Sequence, residues 1–449
     1  MFKINFFYIL ILLAGCAHFF PKQNRKIASS EKFCDKVLAE IKFEVPGLSY
    51  VYLENGEVKH EGGCGHIGGY SSDKMQEVSN HGLPATNKTI WPVQSVSKLI
   101  TVLTTLQALE KLALKKDPSN PLLALNQLLD QDINKLFRFN SHRIQNPHFP
   151  NQKITMRHVL THTSSIINNY NSYPHNKIVK EPNYVLQEPA YNETMWEYLN
   201  PKGQAYSTKN FLTKGPGHNY KYSSIASSIA ALLIPYRMGT NFKYWSQINL
   251  FDSLKMWNTG WRYRDLTYLK DRGNFAYPMM NNKAGNWTRS NACNESIRKE
   301  VFCLFWEHLF YPSASLKSTT SDFAHLLKML MNDGRYNGQQ ILQSETLLEM
   351  TKDNQLRNFP TWKDVRRNLP IYQGLIVSWQ KYLGIWYVCH QGYNPGFWSI
   401  ACYRPKKHYS VNGKLSDNSK EKRRGFAIFS HDFKGSSKEL IESLLKFTK

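Results

Sequence analysis

The sequence predicts an α+β fold, an α/β sandwich. Its sheet is mixed but mainly antiparallel, built from both termini and flanked by helices, with an inserted, mostly helical lobe. Three observations predict it. Strand patterns sit near both ends: Ser49 to Leu53 and Val58 to His60 at one, Tyr387 to His390, Phe397 to Tyr403 and Phe426 to Phe429 at the other. Helical spacing follows each set. Between them, residues from about 116 to 300 are rich in Asn, Pro, Tyr and Trp and carry broken helical patterns such as Ser223 to Leu233. Strands at both ends of a chain pair most simply in one sheet, with the middle as an insertion.

The elements follow in order. Lys3 and the apolar run Ile4 to Leu13 form a short export leader, and Leu13-Ala14-Gly15-Cys16 has the form of a bacterial lipoprotein cleavage site. Residues 1–15 are then a signal peptide, Cys16 carries lipid, and residues 16–30 form a polar tether. The mature chain has 449 − 15 = 434 residues. Glu31 to Ile41 has helical spacing, and Asn55-Gly56 is a hairpin turn. After Pro92 a buried helix is expected, apolar on more than one face, from Leu99 through Leu112. Phe323 to Met331 reads as a helix stopped by Asp333-Gly334, and Ser436 with Glu439 as a capping box for a last helix ending near Lys446. Lys414 to Arg424 is a polar loop. The expected division is an α/β lobe of residues 31–115 plus 301–449 and a helical lobe of residues 116–300, with 31–449 one domain.

The net charge is +23, or +22 without the leader, since Lys3 is its only charged residue. Basic charge favours anionic surfaces. For an exported chain these are lipid headgroups or anionic envelope polymers, and no recognised nucleic-acid motif appears. Removing Cys16 from seven cysteines leaves six, which in an oxidising compartment suggests disulfides. Nearest-neighbour pairing (34–64, 293–303, 389–402) is the working expectation. No C-x-x-C pair is present, and His158 and His162 lack the glutamate of an H-E-x-x-H site, so turn histidines are expected rather than a metal centre. No cofactor is indicated.

Three stations carry the chemistry. Ser95-Val96-Ser97-Lys98 places a hydroxyl one helical turn from an amine, at the N-terminus of a helix where free N–H groups favour an anion. Tyr222-Ser223-Ser224 follows the turn Pro216-Gly217, and His390-Gln391-Gly392 lies on a strand. A serine hydroxyl needs a base to act as a nucleophile. Lys98 serves only if burial or a second cation lowers its pKa. Tyr222 can relay the proton, its phenolate favoured by the nearby lysine. The N–H groups of Ser95 and Tyr393 are the expected oxyanion donors, and Gly392 lets substrate lie along the strand edge.

At these residues the chain resembles the serine hydrolases of the β-lactamase and penicillin-binding protein superfamily. The resemblance is to the class C-like branch of D,D-peptidases, D-aminopeptidases and esterases. Met156 to Ser165 is similar to its "THTSG" stretch, Leu254 to Gly260 to its "LGMxxTG" stretch, and His390 to Phe397 to its HxGxxxGF strand end. The resemblance implies a cleft between the lobes, with Ser95 the acylated nucleophile, Lys98 its base and Tyr222 the second proton-transfer group. It puts His390 where many members have lysine, to hold a substrate carboxylate or tune Tyr222. Ser224 replaces the asparagine of Tyr-x-Asn, and Ser165 a usual glycine. Ser416-Asp417-Asn418 spells another class's motif, but in a charged loop. The expected protein is a lipid-anchored cell-envelope hydrolase facing the periplasm or exterior, acting on a peptide, amide or ester. A non-catalytic binding protein on the same fold is the alternative, since fold does not fix function.

Overall fold

The structure, a computed structural model, describes residues 30–67, 83–138, 142–169, 188–266, 275–276, 279–281, 287–289, 310–354, 372–409, 415–418, 421–433 and 435–448. The leader with Cys16, and Cys293 with Cys303, lie outside them.

Seven strands form the main sheet. They are β1 (Gly47–Glu54), β2 (Glu57–Gly65), β3 (Tyr372–Gln373), β4 (Ser378–Tyr382), β5 (Ile385–Asn394), β6 (Phe397–Tyr403) and β7 (Arg424–His431), in the order β2-β1-β7-β6-β5-β4-β3. The two ends of the chain meet within it, where β1 pairs with β7 and Tyr50 faces Ile428. Every described pairing in this sheet is antiparallel; a single parallel bridge, Ile90 to Phe275, lies outside it. The β1–β2 turn has Asn55 at φ 51° and Gly56 at φ 81°. Two left-handed residues in a two-residue loop are what Asn-Gly supplies.

The period-2 alternation of the strands buries both faces. Leu48, Tyr50, Tyr52, Ile400 and Ile428 face a layer of two helices, α1 (Ser30–Glu40) and the C-terminal helix, meeting Phe33, Val37, Leu440 and Leu444. Val51, Leu53, Val388, Ala401 and Phe429 face the opposite way. There they join α2 (Ser97–Lys116), whose residues from Ser97 to Leu109 are all buried, and α4 (Thr320–Met331). This second core continues without a break into the helices between Pro121 and Asp252, so the helical region has no core of its own. The broken pattern at Ser223 to Leu233 becomes α3 (Ser224–Ile229), a 3-10 turn (Ala230–Leu232) and a further helix (Leu233–Met238).

Local signals fix the ends of these elements. Thr319 caps α4 by accepting from the Asp322 N–H at 3.0 Å, and Ser436 caps α5 (Ser437–Phe447) by accepting from Glu439 N–H at 3.3 Å. The Asp322 carboxylate then accepts from the Asn258 N–H and the Thr259 hydroxyl, both at 2.7 Å, which ties the Leu254–Gly260 stretch to α4. The polar loop expected at Lys414 to Arg424 contains part of a small hairpin, Lys407–Tyr409 against Leu415–Asp417. Asn418 donates to Pro405 O at 3.2 Å there, so Ser416-Asp417-Asn418 belongs to that hairpin and not to the cleft.

Cys34–Cys64 joins α1 to β2, and Cys389–Cys402 crosses directly opposed residues of β5 and β6. Replacing Cys34 and Cys64 together by serine removes a crosslink spanning 30 residues of sequence. Loop-closure entropy makes the expected loss about 3–4 kcal/mol, read as a lower denaturant midpoint with a steeper slope, since the uncrosslinked unfolded chain is less compact.

Candidate active site

The site forms where the turn before α2 meets the free end of β5. Strand β4 pairs with β5 only as far as Cys389, so His390 to Asn394 pair on one side alone, with β6. The Gln94–Val96 turn lies against that open edge, anchored because Ser399 Oγ donates to Val93 O at 2.7 Å. Gly392 makes the approach possible. A Cβ there would sit 2.4 Å from Ser399 Oγ, 2.5 Å from Val93 O and 2.9 Å from Ser95 N. The glycine is thus required by the protein's own backbone, whatever room it also leaves for substrate. The strand alternation turns His390 and Gly392 toward α2 and sends Tyr393 to the other face. There Tyr393 is 60% exposed, and its hydroxyl donates to Asp432 at 3.0 Å. Asn394 and Phe397 close the two-residue turn, so Tyr393 is a non-hydrogen-bonded position whose N–H points away from β6, toward the edge where Ser95 N lies.

Ser95 is held in a strained turn. Gln94, buried just before it, has φ 49°, a left-handed backbone costly for a residue with a side chain. Ser97 locks the turn: its hydroxyl donates to Gln94 O at 2.5 Å and accepts from Leu316 N–H at 3.0 Å. One helical turn on, Lys98 is fully buried. Its Nζ lies 3.1 Å from Ser95 Oγ and donates to Ser313 O at 2.8 Å. Burial brings its pKa down to about 7. Of the two routes expected, desolvation is the one at work. At pH 7 this raises the neutral fraction by about 10³ over that of an ordinary lysine. A neutral amine has one lone pair, and with Ser313 taking a proton of the amine, that lone pair is left for the Ser95 hydroxyl.

Tyr222 closes the opposite wall. Lys98 Nζ is 5.0 Å from its ring centre, and its hydroxyl interacts with Ser95 and Ser224. The residue is 38% exposed, so the site is open to solvent on this side. Burial of the hydroxyl end pushes its pKa up to about 12, outweighing the hydrogen bonds. The group is therefore a phenol, which corrects the expected phenolate. A lysine that is itself half neutral at pH 7 supplies too little charge to hold one. Ser223 supports the wall by capping α3, accepting from Ala226 N–H at 3.0 Å.

Two histidines complete the floor. His390 is buried, its Nδ1 faces Gln391 O at 2.8 Å, and desolvation with Lys98 nearby brings its pKa down to about 3. It is neutral at any physiological pH, with Nδ1 carrying the proton, and so supplies no cation for a substrate carboxylate. That part of the expectation fails, because the strand that brings His390 in also takes it out of water. His162 was read in sequence as a turn residue. It does make a turn, with φ 58°, but its ring lies 4.5 Å from that of Tyr222, and Lys98 and His390 both act on it electrostatically. Its Nδ1 accepts from Ser223 N–H at 3.3 Å, which leaves the proton on Nε2, a buried atom with no partner among the described residues. The sequence signal for it was its place within the "THTSG"-like stretch Thr161 to Ser165. His158 points elsewhere, against Gly217. Ser165, in the usual glycine position, keeps a left-handed backbone (φ 66°), and Asn146 Nδ2 donates to its hydroxyl at 2.8 Å. No group of three metal-ligating side chains occurs among the described residues.

A family model described as Beta-lactamase matches residues 35–445. The chain belongs to the beta-lactamase family. Two solved structures are similar in fold to this beta-lactamase family member. The octameric penicillin-binding protein homologue from Pyrococcus abyssi is 18% identical with a TM-score of 0.60, covering 93% of this chain and 75% of its own. The penicillin binding protein from Bacillus halodurans is 14% identical with a TM-score of 0.54, covering 89% and 94%. No curated protein matches the sequence. The family, on its fold, is one of serine hydrolases.

Buried neutral histidines make the fold acid-sensitive. Below pH 6.5 the unfolded chain takes up protons that His390, at about 3, and His158, at about 4, refuse while folded. Stability is then fully present above the unfolded pKa and falls as pH drops from 6.5 toward 4. His390→Gln should make that fall shallower by about one proton, or ~1.4 kcal/mol per pH unit, in urea melts across this range.

Proposed function

We propose that this protein is a lipid-anchored serine hydrolase of the cell envelope that works through an acyl-enzyme on Ser95. The observation that carries the reading is a hydroxyl 3.1 Å from a buried amine whose pKa is about 7. In the proposed cycle Lys98 takes the Ser95 proton as the hydroxyl attacks a carbonyl carbon. The N–H groups of Ser95 and Tyr393 receive the developing oxyanion, and the positive end of α2 favours it. Tyr222, as a phenol, donates its proton to the leaving oxygen or nitrogen and is reprotonated from Lys98. Water then enters by the same route and releases the acid. Ser224 beside the Tyr222 hydroxyl offers a donor and an acceptor to the leaving-group side. It is shorter than the amide side chain that the class C-like pattern has there, and this favours esters and small amides over acylamido substrates.

The Gly15-Cys16 site supports anchoring by lipid, with the catalytic region carried outward by residues 16–30. Hydrolysis of an envelope peptide, amide or ester fits that placement. A binding role without catalysis is disfavoured by the Lys98 burial. A fully buried amine is costly to retain in a core, and a pure binding cleft has no use for one aimed at a hydroxyl.

Ser95→Ala should abolish covalent labelling by a fluorophosphonate probe while wild type is labelled at a single site. Undiminished labelling of the variant, seen by intact mass, sinks the assignment. The labelling rate of wild type should rise about tenfold per pH unit up to about 7 and then level, since the reacting form has Lys98 neutral. With Tyr222 titrating near 12, no falling limb is expected below pH 10. Lys98→Met should lower the rate by about 10²–10⁴ and flatten that profile.

A further inference from the structure

The floor of the site holds no permanent cation, yet beside it lie cations that pair with no carboxylate among the described residues. No aspartate or glutamate occurs from residue 133 to 180 or from residue 198 to 251. These two runs are sewn together beside the site. Leu212 N–H donates to Ser165 O, Gly217 N–H to Thr163 O and Lys221 N–H to His162 O, each at 2.8 Å. The Tyr206 hydroxyl donates to Gln145 O at 3.1 Å, and Gly215 lies against the side chains of Gln152 and His218. On the surface so formed, Arg143, Lys153, Lys209, Lys214 and Lys221 are exposed, and none pairs with a carboxylate among the described residues. Elsewhere several lysines do pair: Lys59 with Glu57, Lys406 with Asp333, Lys422 with Glu54 and Lys446 with Glu40. The rim reaches Lys221, next in sequence to Tyr222 of the site, which is itself partly exposed.

We propose that the substrate is a soluble anionic polymer or oligomer, carrying carboxylate or phosphate groups, and that this basic rim holds its charges while the neutral floor handles the scissile bond. The proposal deepens the hydrolase reading and rests on it for the word substrate; the rim as an anion-binding surface stands on the charge placement alone. The chemistry favours a polymer over a lipid bilayer. Apart from Tyr222, no large apolar side chain is exposed between Leu123 and Tyr244 among the described residues, and an interfacial face needs such anchors among its cations. A neutral floor also suits a polyanion. An added cation beside Lys98 would strengthen binding but would compete with the developing oxyanion for the substrate's charge.

Exposed charges act over about one Debye length, ~8 Å at physiological salt. Three rim lysines are therefore worth about 3- to 10-fold in affinity there, and more at low salt. The test uses the full chain with Ser95→Ala, so that nothing is turned over. Binding of polyphosphate and of poly-glutamate is measured by fluorescence anisotropy at 20 and 500 mM salt. Comparison variants carry K209Q/K214Q/K221Q on the rim, or K59Q/K422Q/K438Q elsewhere with the same change in charge. The expected result is salt-sensitive binding that weakens about tenfold at low salt in the rim variant and less than twofold in the other. Equal weakening in both variants, no binding at all, or binding only to phosphatidylglycerol vesicles overturns it. The hydrolase reading is judged separately, by fluorophosphonate labelling of the wild-type chain, in which Ser95 is intact. No labelling of the wild-type chain, with polyanion binding intact, sinks the hydrolase reading and leaves the rim standing.

Discussion

The structure turns on an amine that has been taken out of water. Lys98 has no carboxylate beside it; its partners are one backbone carbonyl and the hydroxyl of Ser95. Burying a charged ammonium without a counter-ion is prohibitively costly, so the group gives up its proton more easily. What would be a defect in an ordinary core becomes a base poised near neutral pH. The same desolvation runs through the neighbouring groups. It keeps His390 and His162 neutral and Tyr222 a phenol. The site is thus a set of neutral donors and acceptors in which protons move without any group first having to hold a stable charge.

That environment is assembled by two adjoining pieces of chain and a third that lies 215 residues from Lys98 at its closest bond. The turn at Gln94 to Val96 brings the hydroxyl, α2 the amine, and the Phe310–Ser318 segment the lid over the amine. Thr101 Oγ1 donates to Pro312 O at 2.5 Å, beside the bond from Lys98 to Ser313 O. Gly260 and Lys317 exchange both backbone bonds, at 3.0 and 2.9 Å, and so bind that lid to the stretch that Asp322 anchors. The "LGMxxTG"-like segment therefore acts at a distance from the chemistry, by keeping water off Lys98. Strand β5 supplies the remaining wall, and the absence of a side chain at Gly392 sets how close that wall can come.

Much of this was legible in the sequence. The Asn55-Gly56 turn, the alternation of β1 and β6 and the caps at Thr319 and Ser436 are local signals with local causes, and they place the ends of the elements. The cysteine spacings anticipated Cys34–Cys64 and Cys389–Cys402, which join neighbouring elements. Ser95 and Lys98 could be paired from their spacing because both lie on one turn. Other features escaped for a physical reason. The role of Gly392 depends on Val93 O and Ser95 N, atoms some three hundred residues away. His162 was expected in a turn, and is in one, but its approach to the Tyr222 ring depends on tertiary packing that the turn alone does not reveal. The protonation states of Tyr222 and His390 are set by what surrounds them, and sequence gives no measure of burial for groups on loops and strand ends.

The sequence by itself determined which reactive groups exist, the order in which they occur and the elements that carry them, since propensity, capping and periodicity act over a few residues. Only the tertiary structure decided how those groups behave. Desolvation and electrostatic coupling depend on distance in space, and they come into being only when the sheet closes from both ends of the chain and the helical region folds against α2.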